Sequence, residues 1–338
     1  MLLHPVGTRR PQGTAAWLKM RTVLRHYHVR SDNTADVARL ARHLTGTAVG
    51  PVLSGGGARG FVHVGALQAL EEAGIVPDLI GGTSIGAIMG GLTVLGWRPE
   101  DVLELGKTFG SPRALFDYTL PYMSLMTTGK VTNLLKRWVE DTQIEDLWVP
   151  FFCVSANLTQ GDVVIHRTGP LWKAVRASMA IAGIFSPVLH NGDVLVDGGA
   201  LNNFPVDVMR RIAGGAQVIG VQASPPTDPF AHYEFDSGIS GWRILWHRLN
   251  PLVPNLKVPS IASILLRSVE VKSAVRPADV PGADDPDILI WPDTSTFKLL
   301  DFSAYKALAE TGYRAAREAL AHPDADRMRN AAGSSAGS

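Results

Sequence analysis

Three short stretches of this 338-residue chain hold residue types that make and break bonds. "SGGGARG" (Ser54–Gly60) strips the backbone of side chains over Gly55, Gly56 and Gly57 before presenting Arg59. Such a turn lets something negative approach peptide N–H groups, with a helix starting behind it. "GTSIG" (Gly82–Gly86) has the form G-x-S-x-G, which seats a serine hydroxyl, here Ser84, on a tight strand-to-helix turn. "VLVDGGALNNFP" puts Asp197 at the end of an apolar run, followed by two glycines that free the backbone around its carboxylate.

The first question is which anion the glycine turn serves. A phosphate loop of the ATPase kind needs lysine and then serine or threonine, whereas Arg59 is followed by Gly60 and Phe61. The dinucleotide pattern GxGxxG is met at Gly55, Gly57 and Gly60, with Asp78 near the distance of the usual acidic residue, a weak match when taken alone. The second motif decides between them. With a serine nucleophile one unit later, the anion is the oxygen of an ester carbonyl under attack, and the turn is an oxyanion hole. Arg59 adds positive potential there, anchors a phosphate head group, or plays a structural part. The nucleophile also needs a base. The α/β-hydrolase order of Ser, Asp or Glu, then His leaves His232, His247 and His322, none in a recognisable turn motif. Asp197 is the other candidate, although a strand-end aspartate also serves as a turn cap.

These residues need a frame. Ala48–Leu53 reads as a buried strand entering the glycine turn, and "FVHVGALQALEEAG" as a helix from Phe61 that stops at Gly74. "PDLIG" reads as a strand, "GTS" as a turn and "IGAIMGGLTVLG" as a helix. Two successive strand-turn-helix units predict a parallel sheet covered by helices. Further strands are expected at Phe151–Ser155, Val163–His166, Val194–Val196, Val218–Gln222 and Ile288–Trp291, with helices at Leu171–Ala182 and Ser303–Ala321. Ala35–Gly46 reads as an earlier helix with a glycine stop. Pro51 cannot donate to a ladder, so its strand is expected to pair fully only beyond it.

"LSGGGARG", "GGTSIGA", "RASMAIAGIFSPV" and "VDGGALNNFPV", in this order, resemble the patatin-like phospholipases, and among them the catalytic domain of neuropathy target esterase and its bacterial relatives. "DNTADVARLARHLTG", "DYTLPYMS", "QIEDLWVPFF", "GPLWKAVRAS" and "SGWRILWHRLNP" extend the likeness from about Leu3 to about Leu252. The resemblance implies a three-layer α/β/α fold with a mostly parallel central sheet. With the charge and composition of the two ends, the chain is expected to divide into a basic N-terminal arm with a helix (1–46), a patatin-like catalytic domain (47–322) and a disordered, low-complexity tail (323–338). It also implies a Ser-Asp dyad without histidine: Ser84 as nucleophile, Asp197 as general base, and Gly55, Gly56 and Gly57 as the oxyanion hole with Arg59 beside them. The implied enzyme is a serine esterase that cleaves acyl esters of lysophospholipids or phospholipids through an acyl enzyme. The alternatives are a non-catalytic lipid-binding or scaffold module on the same fold, and a Ser-Asp-His triad. An ordinary aspartate, with a pKa of about 3.9, is a feeble base for a hydroxyl. A dry site is therefore expected around Asp197.

Bulk properties narrow the partners. With 46% hydrophobic and 19% charged residues the chain is globular, and a net charge of +1 argues against a nucleic-acid binder. No cofactor is implied, and no metal is expected because no cluster has ligand spacing. Eight basic residues against Asp32 and Asp36 make residues 1–46 a positive arm, suited to anionic lipid or to a solvated face. Leu79–Trp97 is uncharged, but its glycine pairs break it into strand, turn and helix, which argues against a membrane span. Pro5 and the arginines that follow argue against a secretory signal, and Cys153, the one cysteine, cannot form an internal disulfide. A cytoplasmic protein, peripheral at a membrane surface, is expected. For the lipid substrate, Trp242 and Trp246 share a helical stripe that suits a head-group interface or a packed core. Met123 and Met126 suit an acyl channel or core packing, and Asn250–Leu266 a lid or dimer contact.

Overall fold

The computed structural model describes residues 1–109, 117–120, 122–225, 240–250, 264 and 285–321. Its strands are β1 (Leu2–His4), β2 (His28–Arg30), β3 (Val49–Leu53), β4 (Ile80–Thr83), β5 (Asp117–Tyr118), β6 (Met126–Thr127), β7 (Phe151–Asn157), β8 (Asp162–His166), β9 (Val188–His190), β10 (Asp193–Asp197), β11 (Gln217–Val221) and β12 (Ile288–Ile290). Its α-helices are α1 (Thr14–Lys19), α2 (Thr34–Thr45), α3 (Val62–Glu72), α4 (Ile85–Val94), α5 (Pro99–Phe109), α6 (Gly129–Val139), α7 (Leu171–Ser178), α8 (Val206–Ala213), α9 (Gly241–Leu249) and α10 (Tyr305–Leu320). The tail at 323–338 and almost all of 250–266 lie outside the described residues, as do His232 and His322.

The central sheet has β12, β11, β3, β4 and β7 in parallel order, continues through β10, antiparallel to β7, to β9, antiparallel to β10, and adds β8 antiparallel to β7. Its strands are apolar on both faces, as strands covered on two sides must be. Val49 and Leu53 of β3, with Phe151 and Cys153 of β7, join the core beneath α3, α4 and α10. Val52, Phe152 and Val154 point the other way and meet Val206 and Met209 of α8. Three layers result, with the sheet in the middle.

Two strand ends are set by β7. Cys153 and Val154 pair with β4 on one side and β8 on the other, while Ser155–Asn157 pair with β8 and with β10. Because each residue has two edges, β10 must occupy the same edge as β4, arriving from the opposite direction. Thr83 pairs with Val154 and Asp197 with Ser155, on adjacent rungs of one strand. The residue after β4 is Ser84 and the last residue of β10 is Asp197, so the two meet end to end.

Some expected boundaries moved, for identifiable reasons. Toward β4, β3 pairs only from Val52 onward, as Pro51 requires, whereas toward β11 its pairing runs from Val49. Ahead of Pro51 the side chain of Asp78 stands in for a strand, accepting the Val49 N–H at 3.0 Å, while the Asp78 N–H donates to the Val49 carbonyl. That use of Asp78 delays β4 to Ile80, so Gly82 and Thr83 belong to the strand and Ser84 alone forms the turn. The helix expected at Leu171–Ala182 ends at Ser178; beyond it, the Ala180 carbonyl accepts the N–H of Asp197 at 2.8 Å.

The N-terminal residues do more than present a charged face. Arg42 forms a bidentate pair with the buried Asp78 at 2.7 and 2.9 Å. Arg30 and Arg39 converge on the buried Asp36, Arg10 reaches Glu140, and the Thr14 N–H donates to Asp146. Four of the arm's eight basic residues, Arg10, Arg30, Arg39 and Arg42, are thereby paired with carboxylates of the fold.

Candidate active site

Ser84 sits at φ 54° and ψ −120°, between the last rung of β4 and the first residue of α4. A side chain in the left-handed region costs energy unless its surroundings hold it. Here the hold is specific. The Ser84 N–H donates to Ser178 Oγ at 3.0 Å, and Ser178 Oγ donates onward to the Val154 carbonyl at 2.6 Å. Gly86 completes the turn, since a Cβ there would drive into the Leu53 carbonyl of β3. The Ser84 turn is thus clamped to the two strands that flank β4.

Ser84 Oγ donates to Asp197 Oδ2 at 2.6 Å, and the N–H of Gly199 donates to Asp197 Oδ1 at 2.7 Å. Burial raises the Asp197 pKa from its ordinary value to about 6, against the opposing pull of those two hydrogen bonds. No histidine among the described residues bonds to Ser84 or Asp197, and that includes His247.

The glycine turn closes the site from the other side. Gly56 and Gly57 line a cavity of about 90 Å³ together with Ser84 and Asp197, and their amides make no hydrogen bond within the described protein. Gly55 differs: its N–H donates to the Asn203 carbonyl at 3.0 Å, so it is not free to receive an oxyanion. The Asn203 side chain returns to the Gly55 carbonyl at 3.3 Å. Gly57, at φ 54°, leaves room for the Leu299 carbonyl, 2.5 Å from where a Cβ would stand. Apart from Asn203 the rest of the cavity is apolar, with Ile88, Met179, Phe185, Leu299, Leu300 and Phe302 in its wall.

Residues 52–210, which contain Ser84, Ser178, Asp197, Asn203 and the glycine turn, match the family model for patatin-like phospholipases. They form a patatin-like phospholipase domain. The chain is 35% identical to mouse patatin-like phospholipase domain-containing protein 6 over 93% of its own length and 25% of that protein. It is 35% identical to lysophospholipase NTE1 of Mycosarcoma maydis over 88% of its length and 16% of that protein. It is 32% identical to the Drosophila melanogaster neuropathy target esterase sws over 93% and 24%. The chain therefore spans about a quarter or less of the curated relatives it matches.

Other residues singled out in the sequence stand further from the patatin-like site. Arg59 is buried; its N–H donates to the Gly56 carbonyl at 3.1 Å, its Nε donates to the Phe297 carbonyl at 2.9 Å, and it does not line the cavity. Met126 packs on Ile184 and Phe185 behind the wall, while Met123 is exposed. Trp242 and Trp246 are exposed on α9 and do not line the cavity. Ser178, Asn203 and the 299–302 wall went unassigned in the sequence. The first two lie inside quoted motifs, but their bonds join segments far apart in the chain. Among the described residues no cluster of His, Cys, Asp or Glu could hold a metal, and no helix is long and apolar enough to cross a membrane.

Proposed function

We propose that this chain is a serine esterase that hydrolyses acyl ester bonds of lysophospholipids or phospholipids. The observation that carries the reading is the 2.6 Å hydrogen bond from Ser84 Oγ to a buried carboxylate at the floor of an apolar cavity. Asp197 accepts the Ser84 proton as Oγ attacks the ester carbonyl carbon. The carbonyl oxygen takes the charge and faces the amides of Gly56 and Gly57, whose donors are already oriented. Collapse of the tetrahedral intermediate breaks the bond to the alcohol, which leaves with the proton returned by Asp197. Water then gives a proton to Asp197 as its oxygen attacks the acyl enzyme, and the fatty acid departs as Ser84 regains its hydrogen.

A carboxylate raised to about 6 is a better match to a hydroxyl proton than an ordinary aspartate, yet remains ionised at neutral pH. The apolar wall suits an acyl chain, and the relatives, a lysophospholipase and a neuropathy target esterase among them, carry names that point to the same bond. Nothing in these steps calls for a cofactor or a metal. A cytoplasmic setting with peripheral contact at a membrane fits a lipid substrate and a fully buried lone cysteine.

The test is intact-mass analysis after fluorophosphonate treatment of the native chain, Ser84→Ala and Asp197→Ala. One adduct on the native chain, absent in Ser84→Ala and strongly slowed in Asp197→Ala, is expected, followed by fatty-acid release from lysophosphatidylcholine. A folded native chain that takes no adduct would refute the nucleophile and favour the lipid-binding module. Loss of labelling in His247→Ala would favour the triad.

A further inference from the structure

The hairpin that joins β5 to β6 carries large apolar side chains in water. Tyr118, Leu120 and Tyr122 are 83%, 86% and 94% exposed, and Met123 is 58% exposed. From Tyr118 to Thr128 the sequence has no charged residue. A cluster of this kind marks a surface that meets something else.

The hairpin is firmly tied to the wall of the Ser84 cavity. Leu125 N–H donates to the Gly183 carbonyl at 3.0 Å and Met126 N–H to the Ile184 carbonyl at 2.9 Å. The hydroxyls of Ser124 and Ser186 bond at 3.0 Å. The buried Arg176 bridges the Thr128 hydroxyl and the Ser186 carbonyl. Phe185, inside the segment so held, stands in the cavity wall.

We propose that the tip of this hairpin is the element that enters a lipid surface, holding the Ser84 cavity at that surface. The purpose given to this contact rests on the lipid-esterase reading above. Tyrosine is the residue that sits at head-group depth, leucine and methionine bury in acyl chains, and an uncharged run has no charge to desolvate. A protein partner is the poorer fit, because a stable protein interface engages roughly 20–30 residues on each side and this hairpin offers a small tip.

Flotation of the purified chain with phosphatidylcholine vesicles tests the proposal. The native chain is expected to float, and Leu120→Asp combined with Tyr122→Asp to reduce the floated fraction by about tenfold or more, with an unchanged melting temperature. Because Cys153 is fully buried, a nitrobenzoxadiazole label on Leu120→Cys reports the tip, and its emission should shift to the blue when vesicles are added. That label decides the matter should the double variant fold poorly. Equal flotation of variant and native chain, or an unshifted label, overturns the proposal. A native chain that ignores vesicles overturns it as well and leaves the tip to a protein partner. Flotation needs no turnover, so a chain that binds through this tip but takes no fluorophosphonate adduct refutes the esterase reading alone.

Discussion

A carboxylate works as a base on a hydroxyl only when its environment makes its charge uncomfortable, and Asp197 is in that position. Its raised pKa predicts that kcat/KM on a soluble ester falls as pH drops through about 6, not through the usual range near 4; a rate profile from pH 4 to 8 checks this. The same shift has a stability consequence of opposite sense. Between the unfolded value of 3.8 and the folded value of about 6, the folded chain binds the proton more tightly, so stability declines as pH rises through that window and stays lower above it. Asp197→Asn should therefore stabilise the fold by about 1–3 kcal/mol at pH 8, lose that advantage at pH 4, and abolish turnover. Urea unfolding at the two pH values reads the difference. Ser178→Ala removes the acceptor of the Ser84 N–H without touching substrate. Its expected signature is a kcat about ten- to a hundredfold lower with KM nearly unchanged, because the nucleophile is displaced while the apolar wall stays in place.

Elements explain why some of this was legible in the sequence and some was not. The order strand, glycine turn, helix, repeated once, exposed the parallel sheet because each unit carries its own local signals, and β3, β4, α3 and α4 sit within a few residues of the expected ranges. Ser84 and Asp197 were legible as types in motifs. Their meeting was not, since it follows from Thr83 and Asp197 occupying adjacent rungs of β7, a register that no local pattern encodes. The glycine turn was half legible: three glycines announce it, but only the Asn203 carbonyl shows that the Gly55 N–H is already engaged. The part Arg59 plays stayed open in the sequence for a related reason, as its Phe297 partner lies 238 positions away. Gly86→Ala tests the element scale. Its added methyl collides with the backbone of β3, so the variant should lose at least about 2 kcal/mol in urea unfolding, together with the Ser84 geometry.

Across the whole molecule, one of the ties that fasten the N-terminal residues to the sheet is a buried ion pair, Arg42 with Asp78. Arg42→Ala leaves the Asp78 carboxylate buried beside the start of β3 without its guanidinium and should cost about 3–5 kcal/mol in chemical denaturation. The double change Arg42→Ala with Asp78→Asn should recover part of that loss, because it removes the stranded charge. The end-to-end meeting of β4 and β10 also has a meaning in time. Ser84 and Asp197 are separated by 113 positions, and they become neighbours only after β7 has accepted both strands. Contacts of such long span form late, after local helices and collapse, because closing the intervening loop costs entropy before any bond repays it. During refolding from denaturant, helical circular dichroism should therefore recover first, and fluorophosphonate reactivity at Ser84 should lag behind it. On the proposed esterase reading, Ser84 thus doubles as a clock for the last stage of folding, and a partly folded chain carries that hydroxyl without the carboxylate that would activate it.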